Sequence, residues 1–173
     1  MPDFGPLAID GGEPIRTDML PYARQTIDDD DIAAVVATLR SDWLTTGPSV
    51  ERFEEAFARE VGTAHAVAVS SGTAALHAAV AALNIGAGDE VIVPAMTFGA
   101  TANCVVFQGG TPVFADVNRK SLLIDPEQVE ALLTPRTRAV IAVDFAGQPG
   151  HYDRLRKITD PHGIPLIALS LIH

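Results

Sequence analysis

The stretch Ala66-Val67-Ala68-Val69-Ser70-Ser71-Gly72-Thr73-Ala74-Ala75-Leu76 sets the reading of the whole chain. Its four leading apolar residues read as a short buried strand. Ser70 to Thr73 then read as a tight turn of small residues, and the Ala-rich run beyond as a helix. The first backbone N–H groups of a helix have no internal partner and lie at the positive end of its dipole. A strand, a small-residue turn and a helix N-terminus can therefore hold an anion against the backbone, with Gly72 permitting close approach. Small residues also start helices for packing reasons alone, and both readings stand at this point. The stretch is neither a GxGxxG nor a Walker A sequence, which argues against a dinucleotide or nucleoside triphosphate.

Working outward, the strand–helix alternation continues. Apolar runs predict further strands at 90–93, 112–115, 139–143 and 164–168, and helical patterns fall at 72–84, 99–108, 126–133 and 151–158. This alternation predicts an α/β fold, a mostly parallel sheet with helices on both faces. Ligands in such folds lie beyond the C-terminal strand ends, so the loops to watch are 70–73, 94–98, 116–120 and 144–150. Upstream, residues 1–27 are rich in Gly, Pro and turn residues and read as an irregular arm, with one domain from 28 to 173. Asp28 to Asp31 suit a helix N-terminus ahead of Ile32, Val35, Val36 and Leu39. Val50, Phe53, Phe57 and Val61 mark an amphipathic helix closed by Gly62.

The composition narrows the partners. Twelve basic against 22 acidic residues give a net charge of −10, a poor surface for nucleic acid or an anionic membrane. Any anionic ligand must be held locally, by backbone and hydroxyl groups. The single cysteine, Cys104, excludes an internal disulfide and fits a reducing cytoplasm. The N-terminal residues show no signal-peptide pattern, and no apolar run has the length of a membrane span.

Among residues able to carry chemistry, Phe98 follows the 90–93 strand at the ligand end of the sheet. It fits either stacking on a planar ring or burial in the core. Thr97 and Asn103 beside it can cap or hydrogen-bond locally. The Asp144-Phe145-Ala146-Gly147-Gln148-Pro149-Gly150 loop fits a pocket wall and an ordinary βα turn equally well. The five histidines are scattered without metal-ligand spacing, Cys104 reads as core, and no GxSxG elbow is present.

Taken in order, these segments resemble the DegT-type family of nucleotide-sugar aminotransferases, which use pyridoxal phosphate. The resemblance rests on Trp43-Leu44-Thr45-Thr46-Gly47-Pro48, Ser70 to Leu76, Gly88 to Pro94, Thr97-Phe98, Thr111 to Val117 and Asp144 to Pro149. It covers about residues 20–167, and is greatest to the enzymes that aminate C4 of UDP-linked 4-keto sugars in pseudaminic acid and aminoarabinose synthesis. It implies the large domain of a fold-type I aminotransferase and a homodimer, with glutamate as amino donor. Gly72, Thr73 and Ala74 would hold the cofactor phosphate and Phe98 would stack on its ring. Tyr22 and the Asp42-Trp43-Leu44-Thr45 loop would contact the UDP-sugar.

The chain also departs from the family pattern. The family's covalent lysine lies beyond the matched region, and neither Lys120 nor Lys157 fits its position. Leu169 falls where the family places an aspartate against the pyridine nitrogen. The expectation is therefore an N-terminal portion of such an enzyme, without its small domain and with no catalytic residue of its own. Two other readings remain: a dehydratase or other sugar-specific member of the family, or a non-catalytic regulatory or pseudogene product.

Overall fold

A computed structural model of the chain describes residues 5–21 and 24–171. The chain divides into two compact units, residues 1–49 and 50–173.

The first unit holds a short 3-10 turn, Ala8–Asp10, and helix α1, Asp29–Leu39. The acid run does what its position implies. Asp28 caps the helix by accepting from the N–H groups of Asp30 and Asp31, both at 3.0 Å, and Asp31 reciprocates to the Asp28 N–H. The following loop is folded on itself. Ser41 Oγ donates to the Thr38 carbonyl and accepts from the Trp43 N–H, and Thr46 adopts a positive φ of 47°. Gly47 is required here, since a Cβ would lie 2.6 Å from that of Trp43.

Helix α2, Pro48–Val61, carries the expected stripe of Val50, Phe53, Phe57 and Val61. The stripe is exposed, with the Phe53 and Phe57 rings 5.9 Å apart, and Ala58 is the only buried residue of this helix. Beyond it, residues 66–69 do not form the expected strand. Val67 and Val69 are exposed, no strand of the sheet pairs with them, and the Ala68 N–H goes instead to Glu54 Oε1 at 2.7 Å. An apolar run becomes a strand only where a neighbour takes its N–H and C=O groups.

The rest of the second unit follows the alternation. Helix α3, Gly72–Ala82, leads to β1, Glu90–Pro94; α4, Ala100–Phe107, to β2, Thr111–Ala115; α5, Pro126–Leu132, to β3, Thr137–Phe145; and α6, Tyr152–Thr159, to β4, Leu166–Leu171. The four strands form one parallel sheet in the order β2-β1-β3-β4. Side chains on the two central strands alternate between faces. Val91, Val93, Ala139 and Ile141 pack with Leu76 and Val80 of α3 and with Cys104 and Val105 of α4. Ile92, Val140 and Ala142 pack on the opposite face with Val129 of α5 and Leu155 of α6. Helices thus cover both faces, as the sequence implies. Burial pushes the Cys104 thiol above its ordinary pKa, in keeping with a core role.

An ionic clasp ties the N-terminal ends of β1 and β3. The Glu90 carboxylate accepts from the Thr134 hydroxyl at 2.5 Å and from Arg136, and Asp89 accepts from Arg138 Nε at 3.0 Å. The Thr134 hydroxyl and then Arg136 hold the Glu90 carboxyl below its usual range. Arg138 and the Gly86 N–H do the same for Asp89.

Two outcomes follow from this packing. Ile92→Ala removes a fully buried side chain from the central strand and will destabilise the fold by about 2–5 kcal/mol in urea unfolding. Because Glu90 and Asp89 have depressed pKa values, the folded state binds fewer protons than the unfolded state. Their contribution is complete above about pH 5 and is lost as pH falls through the carboxylate range. Glu90→Gln will show a shallower acid limb when helical ellipticity is followed against pH.

Candidate functional site

The strand order places a topological switch point at the centre of the sheet. From β1 the chain moves to β2 on one side, then crosses back through α5 to β3 on the other. The two connections leave β1 and β3 in opposite directions, so their C-terminal ends open a crevice. One wall is the loop from Ala95 to Gly99, and the other runs from Asp144 to Gly150. Helix α3 precedes β1 and packs back along the sheet through Leu76 and Val80. It runs opposite to the strand, so its N-terminus faces the same end.

That N-terminus is built by Ser71. Its hydroxyl accepts from the Ala74 N–H at 3.1 Å, and its carbonyl accepts from the Ala75 N–H at 3.0 Å. Among the described residues, the N–H groups of Gly72 and Thr73 have no protein acceptor. Both residues are exposed, and a Cβ built on Gly72 meets no atom within 4 Å. Gly72 has no positive φ and no packing neighbour that demands a glycine. The glycine keeps open the space in front of two unsatisfied donors, which is where an anion fits. A phosphate ester suits this turn, and pyridoxal phosphate carries one.

The structure excludes the core reading of Phe98. It is 61% exposed, between the end of β1 and the start of α4, and is not part of either core cluster. Its backbone is held rigidly: the Phe98 carbonyl accepts from the Thr101 N–H at 3.0 Å, and the Thr97 and Thr101 hydroxyls are 2.8 Å apart. Asn103 is exposed on α4. Gly72, Thr73 and Ala74 therefore share one turn, and Phe98 stands at the same end of the sheet.

The remaining sequence candidates fall on other segments of the chain. Asp42, Trp43, Leu44 and Thr45 are exposed in the first unit's loop, and Tyr22 lies outside the described residues. Leu169 is half-buried on β4, packed on the α3/α4 side of the core. Lys120 sits exposed in the loop after edge strand β2, and Lys157 is exposed on α6. His77, also exposed, contacts Gln108 at 2.6 Å and the Phe107 ring at 5.5 Å, away from the turn.

One arrangement escaped the sequence reading. Asp144 Oδ1 accepts from the Gly150 N–H at 2.8 Å and from the Tyr152 hydroxyl at 2.7 Å, closing the second wall of the crevice. Burial first, and then the Asp144 carboxylate, push the Tyr152 phenol well above the ordinary tyrosine pKa. A carboxylate and a phenol eight residues apart carry no periodic signal, so only the folded loop reveals the pair.

A sequence model described as the DegT/DnrJ/EryC1/StrS aminotransferase family matches residues 25–168. Among solved structures, DesV of S. venezuelae is 42% identical with a TM-score of 0.77, over 79% of this chain and 37% of that one. An aminotransferase from Psychrobacter cryohalolentis is 37% identical with a TM-score of 0.79, over 86% of this chain and 38% of that one. The E. coli GDP-4-keto-6-deoxy-D-mannose-3-dehydratase, solved with bound hydrated pyridoxal phosphate, is 33% identical with a TM-score of 0.81, over 86% and 40%. The chain thus spans about two-fifths of the length of these relatives. Among the described residues, no helix is long and apolar enough to cross a membrane.

Removal of the cap tests the turn. Ser71→Ala will cost about 1 kcal/mol of stability, read from the urea midpoint, because the Ala74 N–H loses its acceptor.

Proposed function

We propose, from the premise that this chain belongs to the DegT/DnrJ/EryC1/StrS aminotransferase family, that it forms the cofactor-holding platform of a pyridoxal phosphate-dependent enzyme acting on nucleotide-linked keto sugars. The observation that carries this reading is the N-terminus of α3. It has two N–H donors unpaired among the described residues, unobstructed space at Gly72, and Phe98 standing exposed at the same end of the sheet.

In this reading the N–H groups of Gly72 and Thr73, with the Thr73 hydroxyl, bind the phosphate, and Ala74 completes the turn. The positive end of α3 offsets phosphate charge in a chain whose net charge is −10. Phe98 covers one face of the pyridine ring and keeps water from it. Pyridoxal phosphate, when bound, supplies an electron sink for the carbon carrying the transferred amino group. Tyr22 and the Asp42–Thr45 loop contact the sugar nucleotide, a UDP-linked 4-keto sugar aminated at C4, with glutamate as the donor. The complete enzyme works as a cytoplasmic homodimer. A 3-dehydratase is the second reading, favoured by the likeness to the E. coli enzyme.

The isolated 173-residue chain holds the cofactor without turning it over. Leu169 offers no charge to retain a proton on the pyridine nitrogen, and neither lysine stands on a wall of the crevice. A base within reach of the reacting carbon is what the proton transfers of transamination need.

Titration with pyridoxal phosphate, followed by its fluorescence, is the test. The wild-type chain will bind saturably, and Gly72→Ala will weaken binding by about tenfold or more, as expected when a methyl group displaces a phosphate oxygen. The same substitution will leave the urea midpoint unchanged or raised, since its Cβ meets no protein atom and alanine is the better helix former. Equal affinity in the two proteins would remove the phosphate assignment. Amino transfer from glutamate by the isolated chain would overturn its assignment as an inactive platform.

A further inference from the structure

We propose that Asp144 and Tyr152 are positioning residues for the crevice, holding the 145–150 loop as the wall that faces Phe98. The inference rests on the cofactor reading above and extends it to the opposite side of the ring.

The loop has little else to define its shape. After Asp144 the chain turns sharply through two residues of positive φ, Ala146 at 52° and Gly147 at 77°. Its internal backbone hydrogen bonds run from the Gly147 N–H to the Asp144 carbonyl, 3.2 Å, and from the Gln148 N–H to the Phe145 carbonyl, 3.1 Å, and reach no further than the turn itself. Ala146, Gly147, Gln148 and Pro149 are all exposed. A non-glycine residue at positive φ is strained and persists only where its surroundings hold it.

Asp144 supplies that hold. Its Oδ1 receives the Gly150 N–H at 2.8 Å, closing the loop on itself six residues later, and the Tyr152 hydroxyl at 2.7 Å. Both donors converge on one half-buried carboxylate oxygen, where charge-assisted bonds are strongest. Tyr152 in turn packs against the buried cluster of Ile92, Val140 and Leu155. Its ring is anchored in the core and its hydroxyl reaches the loop, so the pair transmits the rigidity of the sheet to the crevice wall. Asp144 lies on β3 beside Ser170 of β4, a pairing that fixes its backbone.

The Asp144→Ala and Tyr152→Phe variants of the 173-residue chain test this, with Asp144→Asn as the conservative replacement that keeps an acceptor. Hydrogen exchange will show faster exchange at the Gly150 amide in Asp144→Ala, with protection retained in Asp144→Asn. Affinity for pyridoxal phosphate will fall by about fivefold to tenfold in Asp144→Ala and Tyr152→Phe, the range for loss of one or two buried hydrogen bonds. Asp144→Asn will stay within about twofold of wild type. Affinity for inorganic phosphate, which touches only the α3 turn, will be unchanged in all three. A pyridoxal phosphate affinity in Asp144→Ala equal to wild type would overturn the positioning role while leaving the phosphate turn intact. Unchanged Gly150 exchange in Asp144→Ala, or an equal fall in inorganic phosphate affinity, would also overturn it. A wild-type chain that fails to bind pyridoxal phosphate would remove both readings.

Discussion

The pairing of β1 with β3 is the constraint on which the second unit depends. From Val91 to Val93 and from Ala139 to Val143 both strands are dry on both faces, with Val91, Ile92 and Val93 facing alternately the α3/α4 layer and the α5/α6 layer. A strand buried twice can satisfy its backbone only within the sheet, so its neighbours must pair along its length. The Glu90 clasp with Thr134 and Arg136 holds the register at the entry to the two strands. With that end held, both strands run to the same end of the sheet, β1 stopping at Pro94 and β3 continuing past it to Phe145, and the crevice there is a consequence of the pairing.

The end of the sheet proposed to hold the cofactor is built largely from backbone. The α3 turn offers N–H groups, an empty space at Gly72 and a hydroxyl cap, with no cationic side chain in it. An acidic chain can hold a phosphate in this way because the helix terminus supplies a local field that its net charge does not cancel at short range. The two walls differ in how they are held. The Phe98 side is braced by a pair of threonine hydroxyls at the start of α4, and the other side by a single carboxylate bridging loop and core.

The order of strands and helices after residue 70 was legible in the sequence because β-branched and aliphatic runs alternate with helical patterns at short, regular spacing. The acid run from Asp28 to Asp31 was legible because capping is a local interaction. Residues 66–69 show where that reasoning stops. Their composition is that of a strand, but strand formation needs a partner, and the four-stranded sheet offers them none. Phe98 shows the same limit from the other side: an aromatic after a strand reads as core or as ligand contact, and only its position outside both clusters excludes the core. The Asp144–Tyr152 bond and the Glu90 clasp, the latter across more than 40 residues, left no periodic trace.

By itself, the sequence determined the class of fold, the place of the α3 turn and the family pattern, because each rests on residues adjacent in the chain or on a repeating period. The tertiary structure alone decided which ends of which strands open together and which side chains stay exposed there. It also decided how the crevice walls are held. Those properties depend on groups far apart in sequence competing for the same buried carboxylate, the same backbone partner or the same dry face, and that competition is resolved only when the chain is packed.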